Sequence, residues 1–346
     1  MRFWHWQDAA RRDTRWLLLA FALCVIAVVA AVHGGLALAW WLATLLLSPT
    51  GLPFPQGFVA VNVGVTLLLV LGGWWVETDQ LRHGGRRLAQ RVGAREARPG
   101  SSAAEQRLVN TVHEMCLAAQ LPVPQVVVLA RADAINAFAT GWDADDAVIA
   151  VTQGALDYLN REELQGLVAH ELSHLCEGDT RRNMRLAGMC FGLELVYYFG
   201  EALRERGGLA WWFGNAVMAA GLTGWLSGRL LKAAVARQRE YLADARAVQW
   251  TRSKDGLGGV LRKVMAQREA AAQLRGGWQA DARSHTGLDH PAVQHMLLAD
   301  TPHSSRLEHW LDAHPPLPER VRRIYGRRMG ALPLQAEPVP TASAER

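Results

Sequence analysis

The 346-residue chain is poor in lysine, and arginine supplies nearly all of its positive charge. Lysine occurs only at positions 232, 254 and 263, and the formal net charge is +5. A basic surface can bind nucleic acid or anionic lipid. Because the arginines are not interleaved with aromatic residues and no nucleic-acid motif is present, we expect no nucleic-acid partner.

Cysteine is also scarce, with four residues at positions 24, 116, 176 and 190. They show neither CxxC spacing nor the regular spacing of a disulfide framework, and Cys24 lies within an apolar run. This pattern argues against a disulfide framework and against cysteine metal ligands, and it fits a reducing compartment.

Two long stretches near the N-terminus contain no Asp, Glu, Lys or Arg, at residues 16–47 and 58–76. Each is as long as the roughly 20 residues that a spanning helix needs. The Pro-rich segment 48–55 separates them and predicts a turn. A secretory signal peptide is the alternative for the first run, but the run is long and a second follows at once. Residues 1–80 are therefore predicted to be an N-terminal region with two transmembrane helices.

Arginines flank this hairpin, whereas its turn carries no charge. Those before the first span are Arg2, Arg11, Arg12 and Arg15, and those after the second are Arg82, Arg86, Arg87, Arg91, Arg95 and Arg98. By the positive-inside rule both flanks lie in the cytoplasm. We interpret residues 81–102 as a basic linker.

A domain over residues 103–330 is predicted to be mainly α-helical with a small β-sheet. A helix is expected over about 103–120, and the β-rich runs 126–129 and 147–151 predict strands. Asn160 followed by Glu163 matches a capping box that opens a helix extending to about Glu177, where Gly178 ends it.

A second apolar zone, at residues 186–231, interrupts this domain, and its part from 207 to 228 is uncharged. It is either a second membrane hairpin or a pair of buried or membrane-surface helices. Any spans here must come in pairs if the residues on both sides of the zone are to meet. That parity argument favours the hairpin.

The C-terminal part contains six histidines, at positions 285, 290, 295, 303, 309 and 314. Their spacing fits no compact ligand set, so all but His314 are assigned to solvated surface. Residues 331–346 are expected to be a disordered tail.

His170-Glu171-Leu172-Ser173-His174 is an HExxH sequence in the middle of the predicted helix. At about 100° per residue, His170 and His174 project about 40° apart, so both imidazoles can reach one ion. Glu171 is better placed to take a proton from the attacking water than to bind the metal. The alternative is that both histidines merely lie on a helix surface.

A catalytic metal site of this kind needs a third protein ligand. Glu240 is the candidate, within a predicted helix that continues to about Trp250, and Asp244 shares its face. Without the HExxH sequence, a solvated surface rich in Glu and Arg would be the default interpretation.

The sequence HELSH, the later Glu-x-x-x-Asp of Glu240 and Asp244, and Asn-Ala-Phe-Ala-Thr-Gly at residues 136–141 resemble the HtpX-type membrane metallopeptidases. The CAAX prenyl endopeptidases are distant relatives of that family. The similarity covers about residues 105–325, and the two N-terminal spans match the family plan. It implies a zincin-like (gluzincin) fold.

By this resemblance His170, His174 and Glu240 hold one Zn²⁺ per chain, with Glu171 as the general base. Asp244 would orient a ligating histidine. Three residues at the cleft edge, Asn136, Ala137 and Phe138, would receive an extended polypeptide substrate as an added strand.

The sequence His314-Pro315-Pro316 followed by Arg320 is similar to a late motif of the family. There the His and Arg sit near the metal, which makes His314 a candidate oxyanion donor and Arg320 a candidate substrate contact. His314 is equally compatible with a helix-entry role before two prolines.

The resemblance further implies a multi-pass protease of the bacterial inner membrane, with a cytoplasmic catalytic domain that cleaves misfolded or membrane proteins. Two alternatives stay open: a CAAX-type prenyl-protein endopeptidase, and a non-catalytic membrane scaffold or holdase with a metal-binding fold. The number of predicted spans is too small for the large intramembrane chamber of a CAAX-type enzyme. The intact motif residues argue against a non-catalytic scaffold.

Overall fold

The computed structural model describes residues 2–45, 48–49, 51–274, 293, 296–299 and 314–335. Its helices are α1 (Arg2–Leu45), α2 (Phe58–Leu81), α3 (Gly85–Arg91), α4 (Ala103–Ala119), α5 (Gln153–Tyr158), α6 (Arg161–Cys176), α7 (Asp179–Arg204), α8 (Gly208–Thr251), α9 (Lys254–Leu274) and α10 (Leu317–Tyr325). The strands are β1 (Arg95–Glu96), β2 (Gln125–Leu129), β3 (Ala137–Thr140) and β4 (Val148–Thr152). The predicted fold class, mainly α with a small sheet, is confirmed.

The chain divides into two compact units. The first comprises residues 1–80 and 185–234, and the second comprises residues 81–184 and 235–346. Helices α7 and α8 each contribute to both, because each helix continues through a boundary between the units.

In the second unit the four strands form one mixed sheet in the order β1-β2-β4-β3. Strand β4 runs parallel to β2 and antiparallel to β3, which lies at the edge of the sheet. Every residue of β3 and β4 is buried, as expected for Val, Ile and Ala runs covered on both faces. On its outer side β3 carries an isolated antiparallel bridge, between Phe138 and Leu297.

Helix α6 carries the HExxH sequence and packs closely against α9. Its N-terminus has the predicted capping box, in which Asn160 accepts from Glu163 N and the Glu163 carboxylate accepts from Asn160 N. Lys263 Nζ, from α9, lies 2.7 Å from Glu163 Oε2. A Cβ added at Gly166 would overlap the backbone of Leu257, so this crossing requires glycine. The site helix is therefore held at its start and along its length.

In the first unit, glycines allow close helix contacts. A Cβ added at Gly221 in α8 would lie 2.7 Å from Tyr197 Cα in α7, and one at Gly192 in α7 would lie 2.9 Å from Trp74 N in α2. Helix α8 also reaches α1, since Trp212 Nε1 donates to Ala39 O at 3.0 Å. Small residues at such contacts are typical of helices that pack in membranes.

Within the described part of the chain, three helical segments are long and apolar enough to cross a membrane: Trp16–Leu45, Phe58–Leu81 and Asp179–Arg204. The first two overlap the predicted N-terminal spans at residues 16–47 and 58–76. The uncharged stretch 207–228 is part of the 44-residue helix α8 and does not meet the same criterion.

Residues 81–102, interpreted above as a basic linker, contain regular structure. They hold α3 and β1, and β1 pairs with β2 at the edge of the sheet. The Arg95 guanidinium lies 2.6 Å from Glu105 Oε1, so a charge that suggested a solvated linker is paired within the fold. The histidines at positions 285, 290, 295, 303 and 309 and most of the tail lie outside the described residues, whereas residues 331–335 are described without helix or strand.

Candidate metal centre

Helix α6 places two imidazoles side by side, as its periodicity predicts. The Nε2 atoms of His170 and His174 lie 3.2 Å apart, and their rings are nearly perpendicular, with centroids separated by 4.9 Å. Both side chains are largely buried. Two nitrogen lone pairs therefore converge on one small volume.

Helix α8 brings Glu240 to the same volume, although it is 66 residues beyond His174 in the sequence. Its Oε2 lies 3.6 Å from His170 Nε2, and its Oε1 lies 3.4 Å from His174 Nε2. One ligand atom from each of the three residues lies within 4.8 Å of the others. This His₂Glu set has the donor types and the spacing of a catalytic metal site.

The far nitrogen of each histidine faces a carboxylate. His170 Nδ1 lies 3.2 Å from Asp244 Oδ1, and His174 Nδ1 lies 3.1 Å from Asp179 Oδ2. Such partners orient a ligating imidazole and leave its Nε2 free to bind. Asp244 thus lies beside His170, on the side away from the other candidate ligands.

Asp179 was missed by the sequence analysis. It is the first residue of α7, just after Gly178, and the Arg239 guanidinium from α8 forms an ion pair with it. The signal was a carboxylate five residues beyond a motif histidine, across a helix end. Gly178 marked the end of the helix, but nothing in the local sequence showed that Asp179 would face His174.

Arg320 of α10 is completely buried and connects two acidic residues. It donates from Nε to Asp244 Oδ2 at 2.9 Å and from Nη2 to Asp244 Oδ1 at 2.6 Å, and its Nη1 lies 3.1 Å from Glu240 Oε2. Its positive charge compensates the negative charges of these two buried carboxylates. These contacts point to a positioning role for Arg320, in addition to the substrate contact implied by the resemblance.

The charges around the centre determine its protonation. Burial lowers the pKa of His170 below its usual value, which favours the neutral imidazole that binds metals. Burial opposes ionisation of Glu240 as well, but the charges of His314 and Arg320 outweigh it and hold the pKa of Glu240 well below its usual value. The site therefore offers a carboxylate rather than a carboxylic acid.

Glu171 lies in the same buried region and is set apart by its lack of partners. Both carboxylate oxygens are inaccessible and accept no hydrogen bond from any described residue. Burial raises the pKa of Glu171 to about 7. A carboxylate with that pKa is suited to accept and return a proton near neutral pH.

His314 also reaches the centre. Its side chain is buried, and its Nε2 lies 3.7 Å from Glu240 Oε1. It precedes Pro315 and Pro316 at the start of α10, so the helix-entry position and the site position coincide.

Asn136, Ala137 and Phe138 lie on the edge strand β3 or directly before it. They contact the described segment 296–299. Arg320 connects that segment to the metal centre, because Arg320 Nη1 donates to Leu298 O at 2.7 Å. The structure thus brings together all the predicted site residues in the second unit.

An HExxH helix, a distant glutamate and a small mixed sheet beside them are the features of a metallopeptidase. The comparison with protein families agrees, because residues 102–328 match the model of peptidase family M48, and the chain belongs to that family. The resemblance to HtpX-type enzymes is confirmed by curated relatives.

One relative, from Lactobacillus acidophilus, carries the name "Protease HtpX homolog" and is 33% identical over 231 residues, covering 63% of this chain and 72% of the relative. A relative of the same name from Dictyoglomus turgidum is 32% identical over 230 residues, covering 64% and 69%. Another, from Streptococcus gordonii, is 27% identical over 330 residues, covering 92% and 98%. No solved structure gave a significant match. The chain is therefore a protease of a metallopeptidase family, with apolar helices suited to a membrane.

Proposed function

We propose that this chain is a zinc-dependent endopeptidase of the bacterial inner membrane that cleaves misfolded or membrane proteins at the cytoplasmic face. The observation that carries the proposal is the cluster of His170, His174 and Glu240, with the carboxylate of Glu171 beside it accepting no hydrogen bond from any described residue. The family and the names of the relatives support proteolysis.

The residues of the centre fit zinc. Two imidazole nitrogens, which are borderline donors, and one carboxylate oxygen, which is a hard donor, form the His₂Glu set of catalytic zinc sites, and both imidazoles have a carboxylate behind them. When bound, zinc supplies Lewis-acid polarisation of a peptide carbonyl and makes a water molecule more acidic. His170, His174 and Glu240 would hold it.

Glu171 would move the proton. In this proposal one of its oxygens accepts the proton of the attacking water and then donates it to the nitrogen of the leaving amine. Its raised pKa, caused by burial, makes both transfers feasible near neutral pH. His314 would donate a hydrogen bond to the oxyanion, a contribution typically worth about 3 kcal/mol of barrier.

The substrate would bind as an extended strand. Strand β3 is the last strand of the four-stranded sheet, and the carbonyl of Ala137 accepts a hydrogen bond from Leu298 N. An extended substrate would pair with this carbonyl as an added strand. Such binding reads the backbone of the substrate more than its side chains. That suits an enzyme that acts on many unfolded sequences.

For the membrane region we propose four spans, formed by α1, α2 and the parts of α7 and α8 in the first unit. Leu222, Leu226 and Leu230 of α8 are 50%, 41% and 52% exposed, which suits a lipid-facing surface. Glu194, whose charge made this zone less apolar, is buried 3.5 Å from Lys232 Nζ. If α7 crosses the membrane, α8 must cross back, because His170 and Glu240 meet in one site.

The catalytic proposal is tested with Glu171→Gln in purified, detergent-solubilised protein. The variant is expected to retain one zinc per chain by elemental analysis and to lose casein cleavage by about 10³-fold or more, as removal of a general base commonly costs 10²–10⁴-fold. Glu162→Gln, nine residues earlier on the same helix, is the matched control and should cleave normally. Full activity of Glu171→Gln would overturn the assignment.

The cytoplasmic orientation is tested with Cys176, the exposed cysteine at the end of α6. A membrane-impermeant maleimide should label it in inside-out vesicles and not in intact spheroplasts. The opposite labelling pattern would place the catalytic region outside the cytoplasm.

A further inference from the structure

The outer edge of β3 is already in contact with a short segment of the same chain, Met296–Ala299, here called the self-strand. Leu297 forms an antiparallel bridge with Phe138, and Leu298 N donates to Ala137 O at 2.9 Å. The pairing is that of an added strand on a sheet edge. It involves the same backbone that the proposed function assigns to the substrate.

Two side chains of the site hold the self-strand as well. Asn136 Nδ2 donates to Ala299 O at 2.9 Å, and Ala299 N donates to Asn136 Oδ1 at 3.4 Å. Arg320 Nη1 donates to Leu298 O at 2.7 Å, and the same nitrogen lies 3.1 Å from Glu240 Oε2. One guanidinium nitrogen therefore connects the self-strand to a candidate metal ligand.

All of these polar contacts use backbone groups of the self-strand. An N–H at Leu298, a carbonyl at Leu298 and both backbone groups of Ala299 are features of any extended peptide. A polypeptide entering along β3 could form each of them without sharing the sequence of the self-strand. It could form them only after the self-strand had left.

The side chains of the self-strand indicate which kind of peptide could replace it. Met296, Leu297, Leu298 and Ala299 are all at most 5% exposed, and Leu298 and Ala299 belong to the hydrophobic core of the second unit. Removing them exposes apolar surface to water, which is unfavourable unless another apolar segment covers it. A polar peptide would satisfy the backbone groups and leave this surface exposed.

We propose that the self-strand is an intramolecular competitor that occupies the substrate position, and that extended apolar segments of unfolded proteins displace it before cleavage. This proposal rests on the proposed function, because it assumes that substrate binds along β3. A competitor within the chain is present at a fixed effective concentration. The apparent affinity for every substrate is then the intrinsic affinity multiplied by the fraction of molecules in which the edge is free.

The first test is Leu298→Pro, which removes the N–H that donates to Ala137 O and prevents strand pairing there. For cleavage of an apolar peptide, KM should fall by about fivefold, the equivalent of one net hydrogen bond, with kcat nearly unchanged. Leu298→Met keeps the N–H and a similar volume, so its KM should change less. If the segment were only a structural strand, Leu298→Pro would lower kcat and raise KM, and that result would overturn the proposal.

The second test does not depend on cleavage or on the folding of Leu298→Pro. Zinc-loaded Glu171→Gln is mixed with an acetylated Leu- and Ala-rich hexapeptide, and amide hydrogen exchange is measured with peptide binding followed by calorimetry. Exchange in fragments containing residues 296–299 should accelerate at saturating peptide, whereas β4 should stay protected. Binding without this acceleration, or no binding at millimolar peptide, would overturn the proposal.

The two experiments separate the two claims. If the self-strand is displaced by peptide but neither wild-type protein nor Leu298→Pro cleaves any substrate, the proposed hydrolase is wrong and the competitor stands. If wild-type protein cleaves casein and peptide binding leaves the self-strand protected, the hydrolase stands and the competitor is wrong.

Discussion

The helical unit of residues 1–80 and 185–234 and the metal centre of the other unit achieve close packing by different means. In the helical unit the contacts depend on missing side chains, as at Gly192 and Gly221, where any Cβ would meet a neighbouring backbone. In the metal centre they depend on paired charges, with Arg320 bonded to Asp244 and next to Glu240. The first arrangement is sensitive to added volume and the second to removed charge.

The difference follows from what each region has to do. Apolar helices in lipid gain little from burying more apolar surface, so close backbone approach supplies the packing energy. A catalytic site must keep ionised groups out of water, and each buried charge requires a partner. Four substitutions can break or sharpen this comparison.

The largest effect on stability is expected for Arg320→Met. It leaves the carboxylates of Asp244 and Glu240 buried without a counter-charge, which typically costs about 3–5 kcal/mol. Thermal unfolding and zinc content measure the loss. The double variant with Asp244→Asn should be less destabilised than the sum of the two single variants, and strict additivity would contradict the proposed pairing.

A smaller effect is expected for Asp179→Asn. The variant keeps the size of the side chain but weakens the contact with His174 Nδ1, and loss of such a partner commonly lowers metal affinity by about 10–100-fold. Competition with a zinc chelator measures the affinity. Asp157→Asn, in α5, is the control at an exposed aspartate and should bind zinc like wild type.

In the helical unit, Gly192→Ala should destabilise the protein by about 1–3 kcal/mol, since the added methyl group meets the backbone of α2. Gly72→Ala adds the same methyl group where nothing lies within 4 Å, and alanine favours a helix. Thermal unfolding in detergent should therefore separate the two variants. Equal melting temperatures would argue against packing through glycine.

The smallest effect is expected for Glu319→Ala. Glu319 forms ion pairs with Arg322 and Arg323 on the exposed side of α10, one residue before Arg320. The pKa of Glu319 is lowered to about 2 by hydrogen bonds from these arginines. Exposed pairs contribute little, so the melting temperature should not change measurably. A large loss would mean that α10 depends on surface charge as well as on Arg320.

Local sequence patterns were enough for much of the fold. The uncharged runs predicted two long apolar helices, α1 and α2, and the capping box at Asn160 and Glu163 located the start of the HExxH helix. These features depend on neighbours within one helical turn or on composition over about 20 residues. The linker prediction for residues 81–102 missed β1, because a two-residue strand has no periodicity and depends on its pairing with β2.

The sequence alone determined the donor types of the site, because HExxH on a helix places His170 and His174 on one face whatever surrounds it. Only the tertiary structure decided that Asp179 supports His174 and that Arg320 neutralises Asp244 and Glu240. It also decided that residues 296–299 lie along β3. Such contacts join residues far apart in the chain, and their energies depend on burial and distance, which no local pattern contains.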